Sequence, residues 1–168
     1  MKAQPNIIAN LIFLLMISFS GICQNSASAS FTASVNIIEP ISIETTSNMN
    51  FASIDARNGG SVILNPDHTR ITTGDVRLEN AASVSAAVFE VRGQNGHSYN
   101  ISVPTGEFKM TNGTNEIVIK DFLTDFKAGS KNSDTQTISL GATLQIEPEQ
   151  MPGHYTTSSP IEITVSYN

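Results

Sequence analysis

Residues 161–167 read Ile-Glu-Ile-Thr-Val-Ser-Tyr, and only Asn168 follows. Ile161, Ile163, Val165 and Tyr167 fall on one face, and Glu162, Thr164 and Ser166 on the other. A period of two marks a half-buried β-strand, because successive side chains leave a strand on opposite sides. Such a strand must find a partner for its backbone groups. Its apolar face is expected to pair into a sheet, with Ile161, Ile163, Val165 and Tyr167 as the pairing strand's inward residues.

The same alternation occurs near the other end, where Phe31, Ala33, Val35 and Ile37 share a face. Between the two lie short runs rich in Val, Ile, Thr and Phe. They are expected at 41–43, 61–65, 75–79, 86–91, 99–103, 108–110, 116–122 and 137–146. Three Asn-Gly steps, at Asn58, Asn95 and Asn112, supply the positive φ angles of tight turns. A helical turn is expected only over residues 121–129. The pattern predicts an all-β chain, an antiparallel immunoglobulin-like β-sandwich of one domain over residues 31–168.

Residues 1–23 read as a cleaved signal peptide. Lys2 precedes an apolar run from Leu11 to Ile17, and small or polar residues follow it (Ser18, Ser20, Gly21). The run is too short to span a membrane comfortably. Cleavage after Cys23 would remove the only cysteine. The mature chain then lacks both disulfides and thiolate metal sites. Ile22 fills a position where a lipid-anchor motif needs a small residue. Residues 24–30 form a flexible lead-in. The expected location is the periplasm, the cell surface or the extracellular space. A formal net charge of −6 argues against nucleic acid or an anionic membrane as partner.

Chemistry-bearing residues are scattered. His68, His97 and His154 sit on separate turn-like segments without metal-ligand spacing, and read as solvated loop residues. No Gly-x-Ser-x-Gly elbow occurs. Asp55, Asp67, Asp75, Asp121, Asp125 and Asp134 could offer calcium oxygens, but no segment has EF-hand spacing. With no Trp and three Tyr, material for a sugar-stacking platform is scarce. Tyr155 and Tyr167 are expected to bury their rings and wet their hydroxyls. No cofactor is implied, and no catalytic residue is assigned.

An ordered set of segments carries a family resemblance. It runs from Pro40-Ile41-Ser42-Ile43 through Met49-Asn50-Phe51-Ala52-Ser53-Ile54 and Gly60-Ser61-Val62-Ile63-Leu64. Ala86-Ala87-Val88-Phe89-Glu90-Val91-Arg92-Gly93, Tyr99-Asn100-Ile101-Ser102-Val103-Pro104 and Leu140-Gly141-Ala142-Thr143-Leu144 follow. Gly153-His154-Tyr155 and Val165-Ser166-Tyr167-Asn168 end it. Together they resemble the secreted bacterial family known as domain of unknown function 4402. Ala52 stands where that family usually has Gly. The family in turn is similar to spore-coat-protein-U and Csu-type chaperone–usher pilins. That resemblance implies a structural or adhesive, non-enzymatic role. It also implies assembly by strand addition, with Phe31, Ala33, Val35 and Ile37 as donor, and with other subunits and a periplasmic chaperone as partners. The alternative is a self-complemented monomeric binding module whose own N-terminal strand closes the sandwich.

Overall fold

The computed structural model describes residues 12–13, 26–79, 83–127 and 135–168. The chain divides into two compact units, Met1–Asn36 and Ile37–Asn168. In the first, Ile12 and Phe13 are helical and residues 26–36 carry no regular secondary structure. The expected signal peptide falls almost wholly outside the described residues.

The second unit is an all-β, antiparallel sandwich. Its strands are β1 (Ser42–Ser47), β2 (Ile54–Asp55), β3 (Gly60–Leu64), β4 (Arg70–Gly74), β5 (Arg77–Leu78) and β6 (Ala87–Arg92). Then come β7 (Tyr99–Ser102), β8 (Phe108–Thr111), β9 (Glu116–Thr124), β10 (Thr135–Ile146), β11 (Thr156–Thr157) and β12 (Thr164–Tyr167). The large sheet runs β1-β6-β10-β9-β8-β11, with β3 on β10 and β4 on β3. β12 with β7, and β2 with β5, form two small sheets.

β10 organises the fold. Its first half pairs with β6 (Leu140↔Ala87) and its second half with β3 (Ala142↔Leu64), while β9 runs along its other edge. Gly141 marks the point where the partner changes. A Cβ there would stand 2.0 Å from the Leu64 carbonyl oxygen, so only glycine lets the two backbones approach this closely. The even-numbered residues Ile138, Leu140, Ala142, Leu144 and Ile146 all face inward and are buried. Phe89 and Val91 of β6 and Val62 and Leu64 of β3 meet them. This period-two burial is what the sequence pattern encodes.

Residues 121–127 differ from the expected helical turn. β9 continues through Thr124 as a bulged strand. Its register against β10 shifts between Leu123 and Lys120, and Asp121 sits at φ 51°. One extra residue reverses which parity faces the core. Ile117 and Ile119 point inward before the bulge; Phe122 packs inward after it.

The Asn-Gly steps also sort themselves. Asn112-Gly113 closes the β8–β9 hairpin, with Asn112 Oδ1 accepting the Thr114 and Asn115 amides at 3.1 and 2.8 Å. Asn95-Gly96 links β6 to β7, which lie in different sheets. A hairpin without an Asn-Gly step, β3–β4, turns on Asn65-Pro66-Asp67-His68, where His68 takes φ 67°.

Residues 31–37 are not a strand. The alternation is present, but among the described residues no strand supplies backbone partners, and residues 26–41 stay outside every ladder. Alternation makes a segment fit to pair; it does not provide the pair.

Candidate functional site: the open edge of the terminal strand

β12 pairs with β7 from Thr164↔Ser102 to Tyr167↔Tyr99. Among the described residues no strand pairs with its other edge. The strand expected over 161–167 is regular only from Thr164, because the ladder with β7 begins there. Ile161 and Ile163 lie in the unpaired residues that lead into it, and with Val165 and Tyr167 their side chains step along the core. Ile161 packs against the cluster of Val62, Leu64, Leu144 and Ile146. Ile163 packs against Ala87, Phe89 and Leu140. Val165 and Tyr167 pack against Val91, Tyr99 and Ile138. All four are only half-buried, whereas Ile138 beneath Val165 and Tyr167 has no exposed surface.

β1 is the other strand at this opening, and among the described residues it too pairs with one strand, β6. Ile41 joins the cluster of Val165 and Tyr167, Ile43 the clusters of Val165 and Ile163, and Met49 the clusters of Ile163 and Ile161. β1 and β12 therefore pass one another antiparallel over a shared core. Ile41 and Ile43 are likewise half-buried. The core is half-covered along this line, between two edges that no strand pairs among the described residues. Such an arrangement can do one chemical thing well: accept an extended strand with apolar side chains at alternate positions.

One end of the opening is tied. The Glu39 amide donates to Gln94 Oε1 at 2.9 Å, the Gln94 amide donates to the Tyr167 hydroxyl at 2.7 Å, and that hydroxyl donates to the Glu39 carbonyl at 2.9 Å. The His97 ring meets the Tyr167 ring edge-on at 5.8 Å. His97 Nδ1 is buried without a hydrogen-bond partner. Sequence reasoning missed Glu39 and Gln94 here, since neither stands out by period or motif, and it read His97 as a solvated loop residue, whereas packing on Tyr167 buries its Nδ1. Gly93 was the one available signal, as a Cβ there would lie 2.7 Å from the Tyr167 hydroxyl.

Phe31 is 92% exposed, Val35 84% and Ile37 86%, and Ala33 is exposed as well.

The remaining candidates disperse. His68 Nδ1 accepts the Ala86 amide at 3.0 Å, which ties the β3–β4 turn to the start of β6. Asp67 accepts from the Thr69 hydroxyl and amide, and those hydrogen bonds hold its carboxyl below the usual range. Asp75 accepts from Asn58 at 2.7 Å and Asp125 from the Ser139 amide at 2.8 Å. Asp55 pairs with Arg57 at 2.9 Å. Asp134 lies outside the described residues. Among the described residues no group of three or more His, Cys, Asp or Glu could hold a metal. Arg70 binds the carbonyls of Phe51, Ser53 and Glu79, a backbone clamp on the β2–β5 side; burial pushes its pKa down. Tyr155 donates to the Met151 carbonyl at 2.7 Å and packs on the core, a structural use.

Fold and site together define an antiparallel β-sandwich with an open edge beside its C-terminal strand. The chain belongs to the family described as domain of unknown function DUF4402, whose model matches residues 41–167. No curated protein and no solved structure matches it. The family match begins one residue after Pro40, so the exposed alternating segment lies outside it.

Proposed function

We propose that this is an exported, non-enzymatic structural or adhesive subunit that assembles by strand addition. The open edge of β12 is the acceptor, and residues 31–37 of another copy are the donor. The observation that carries the reading is a complementary pair of deficits. Among the described residues Val165 and Tyr167 are half-covered with a strand on one side only, Ile161 and Ile163 before them are half-covered and in no ladder, and Phe31, Val35 and Ile37 alternate, are exposed and belong to no sheet.

Magnitudes decide how such a strand would be held. Burying Phe31, Val35 and Ile37 would contribute about 1.5–3 kcal/mol each. Fixing the backbone of that segment costs roughly 1–2 kcal/mol per residue. Side chains alone do not offset this, so the donor must also satisfy the unused ladder groups of β12, at about 1 kcal/mol per hydrogen bond. Export rests on the apolar run and small-residue boundary of residues 1–23. A periplasmic chaperone is a natural first occupant of the same edge, since an exposed strand edge invites aggregation.

The test is light scattering coupled to size-exclusion chromatography on two chains, one from Gln24 and one from Glu39. Strand exchange predicts ladders from the longer chain. It also predicts a folded monomer from the shorter chain that binds a peptide of residues 25–38. A clean monomer from the longer chain, with loss of folding in the shorter one, would overturn the proposal. That outcome would favour a self-complemented monomeric module.

A further inference from the structure

The ring of hydrogen bonds among Glu39, Gln94 and Tyr167 joins three segments: the approach to β1, the residues after β6, and the end of β12. It uses both backbone groups of Glu39. Gly93 is the floor that lets the hydroxyl sit there; an added Cβ would also come within 3.5 Å of Ile41. The ring thus fixes the backbone at the residue from which the alternating segment departs.

Consider what would be needed for residues 31–37 to fill the opening of their own sandwich. The chain would have to reverse between Ile37 and Ser42, because Ser42 is already paired with Arg92. A type I turn centred on Ile38-Glu39 or Glu39-Pro40 needs Glu39 in the helical region. Pro40 opposes that, because its ring clashes with the preceding residue there. A turn centred on Pro40-Ile41 is sterically allowed. It would draw Ile41 from its cluster with Val165 and Tyr167, and it would break the ring at Glu39.

We infer that this ring, acting with Pro40, is a latch that denies the segment its own opening and reserves it for a second copy of the chain. Tyr167 is then a positioning residue for assembly as well as an inward residue of β12. The inference rests on the strand-addition reading.

The test uses the mature chain from Gln24. It compares wild type, Tyr167→Phe with Pro40→Gly, and Gln94→Ala. Tyr167→Phe keeps the ring packing and removes only the hydroxyl. Gln94→Ala releases the Glu39 amide without touching β12, and so stands in should the double variant fold poorly. The readouts are the monomer fraction by light scattering, the amide exchange of residues 31–37 in isolated monomers, and binding of a peptide of residues 25–38. Wild-type monomers should show unprotected amides at 31–37 and should bind the peptide. The double variant should form monomers with those amides protected and peptide binding weakened about tenfold, with Gln94→Ala in between. Protected amides in wild-type monomers that still bind the peptide, or unchanged binding and ladders in both variants, would overturn the latch and leave strand addition standing. Failure of every chain to bind the peptide would overturn both.

Discussion

Gly141→Ala puts the central feature of the sandwich under load. The added Cβ would stand 2.0 Å from the Leu64 carbonyl oxygen, and 3.0 Å from both the Leu64 and Asn65 carbonyl carbons. All three are backbone atoms in a paired strand and its turn, so no side-chain rotamer relieves the clash. Relief requires β3 to move by an ångström or more against β10. Overpacking of this kind costs about 1–3 kcal/mol. The ladder from Ala142↔Leu64 to Ile146↔Gly60 would be strained as well, and losing one hydrogen bond adds about 1 kcal/mol. The expected loss is therefore roughly 3 kcal/mol, out of a stability of about 5–15 kcal/mol for a domain. An unfolding entropy of about 2.1 cal/mol/K per residue over some 130 residues converts this to a fall in Tm of roughly 10 °C. Gly153→Ala is the control. The nearest atom to its Cβ would be the Asn112 side-chain nitrogen, at 2.8 Å, and a small tilt of that amide relieves the contact while Oδ1 keeps its two hydrogen bonds. Its cost should stay below about 1 kcal/mol. Urea unfolding followed by circular dichroism measures both. If Gly141→Ala unfolds within about 0.5 kcal/mol of wild type, the close approach of β3 and β10 is not a constraint, and the reasoning fails.

Three further outcomes are expected. Ala52→Gly should raise stability by up to about 1 kcal/mol in a thermal melt, since Ala52 sits at φ 55°, where a Cβ is unfavourable. Leu64→Ala should cost about 2–5 kcal/mol by denaturant unfolding, because Leu64 has no exposed surface and its loss opens a cavity. Burial pushes the Tyr99 hydroxyl above its usual pKa of 10.0, so the folded state holds that proton more tightly than the unfolded chain does. The resulting stability is complete below the unfolded pKa and is lost as pH rises through the folded one. Tyr99→Phe should flatten that alkaline decline in unfolding titrations.

Much of the fold was legible because burial follows a period of two. Ile138 to Ile146 and Ala87 to Val91 announce their inward faces directly. β4 was not legible: Arg-Ile-Thr-Thr-Gly carries one large apolar residue, Ile71, and it faces solvent. The bulge at Asp121 hid the second half of β9, because a change of parity within one strand breaks the very signal used to find strands. The alternation of β12 was visible, and so was that of residues 31–37, but an alternating segment says nothing of whether a neighbour exists. The Glu39–Gln94–Tyr167 ring joins residues 55 and 128 positions apart through backbone groups, which carry no sequence signature. Ala52 is the instructive middle case. The resemblance led one to expect Gly there, and the positive φ of Ala52 is a conformation in which Gly would sit without strain.

β10 also sets a timetable. Residues 60–64, 87–92 and 116–124 all take it as a neighbour, yet it ends only at Ile146. Pairings this distant along the chain close slowly, because each must first overcome the entropy of the intervening loop. In any process that delivers the chain N-terminus first, β3, β6 and β9 emerge before the strand that unites them. During that interval their hydrogen-bonding edges are open to any other chain nearby, so the rate of delivery relative to closure bears directly on yield.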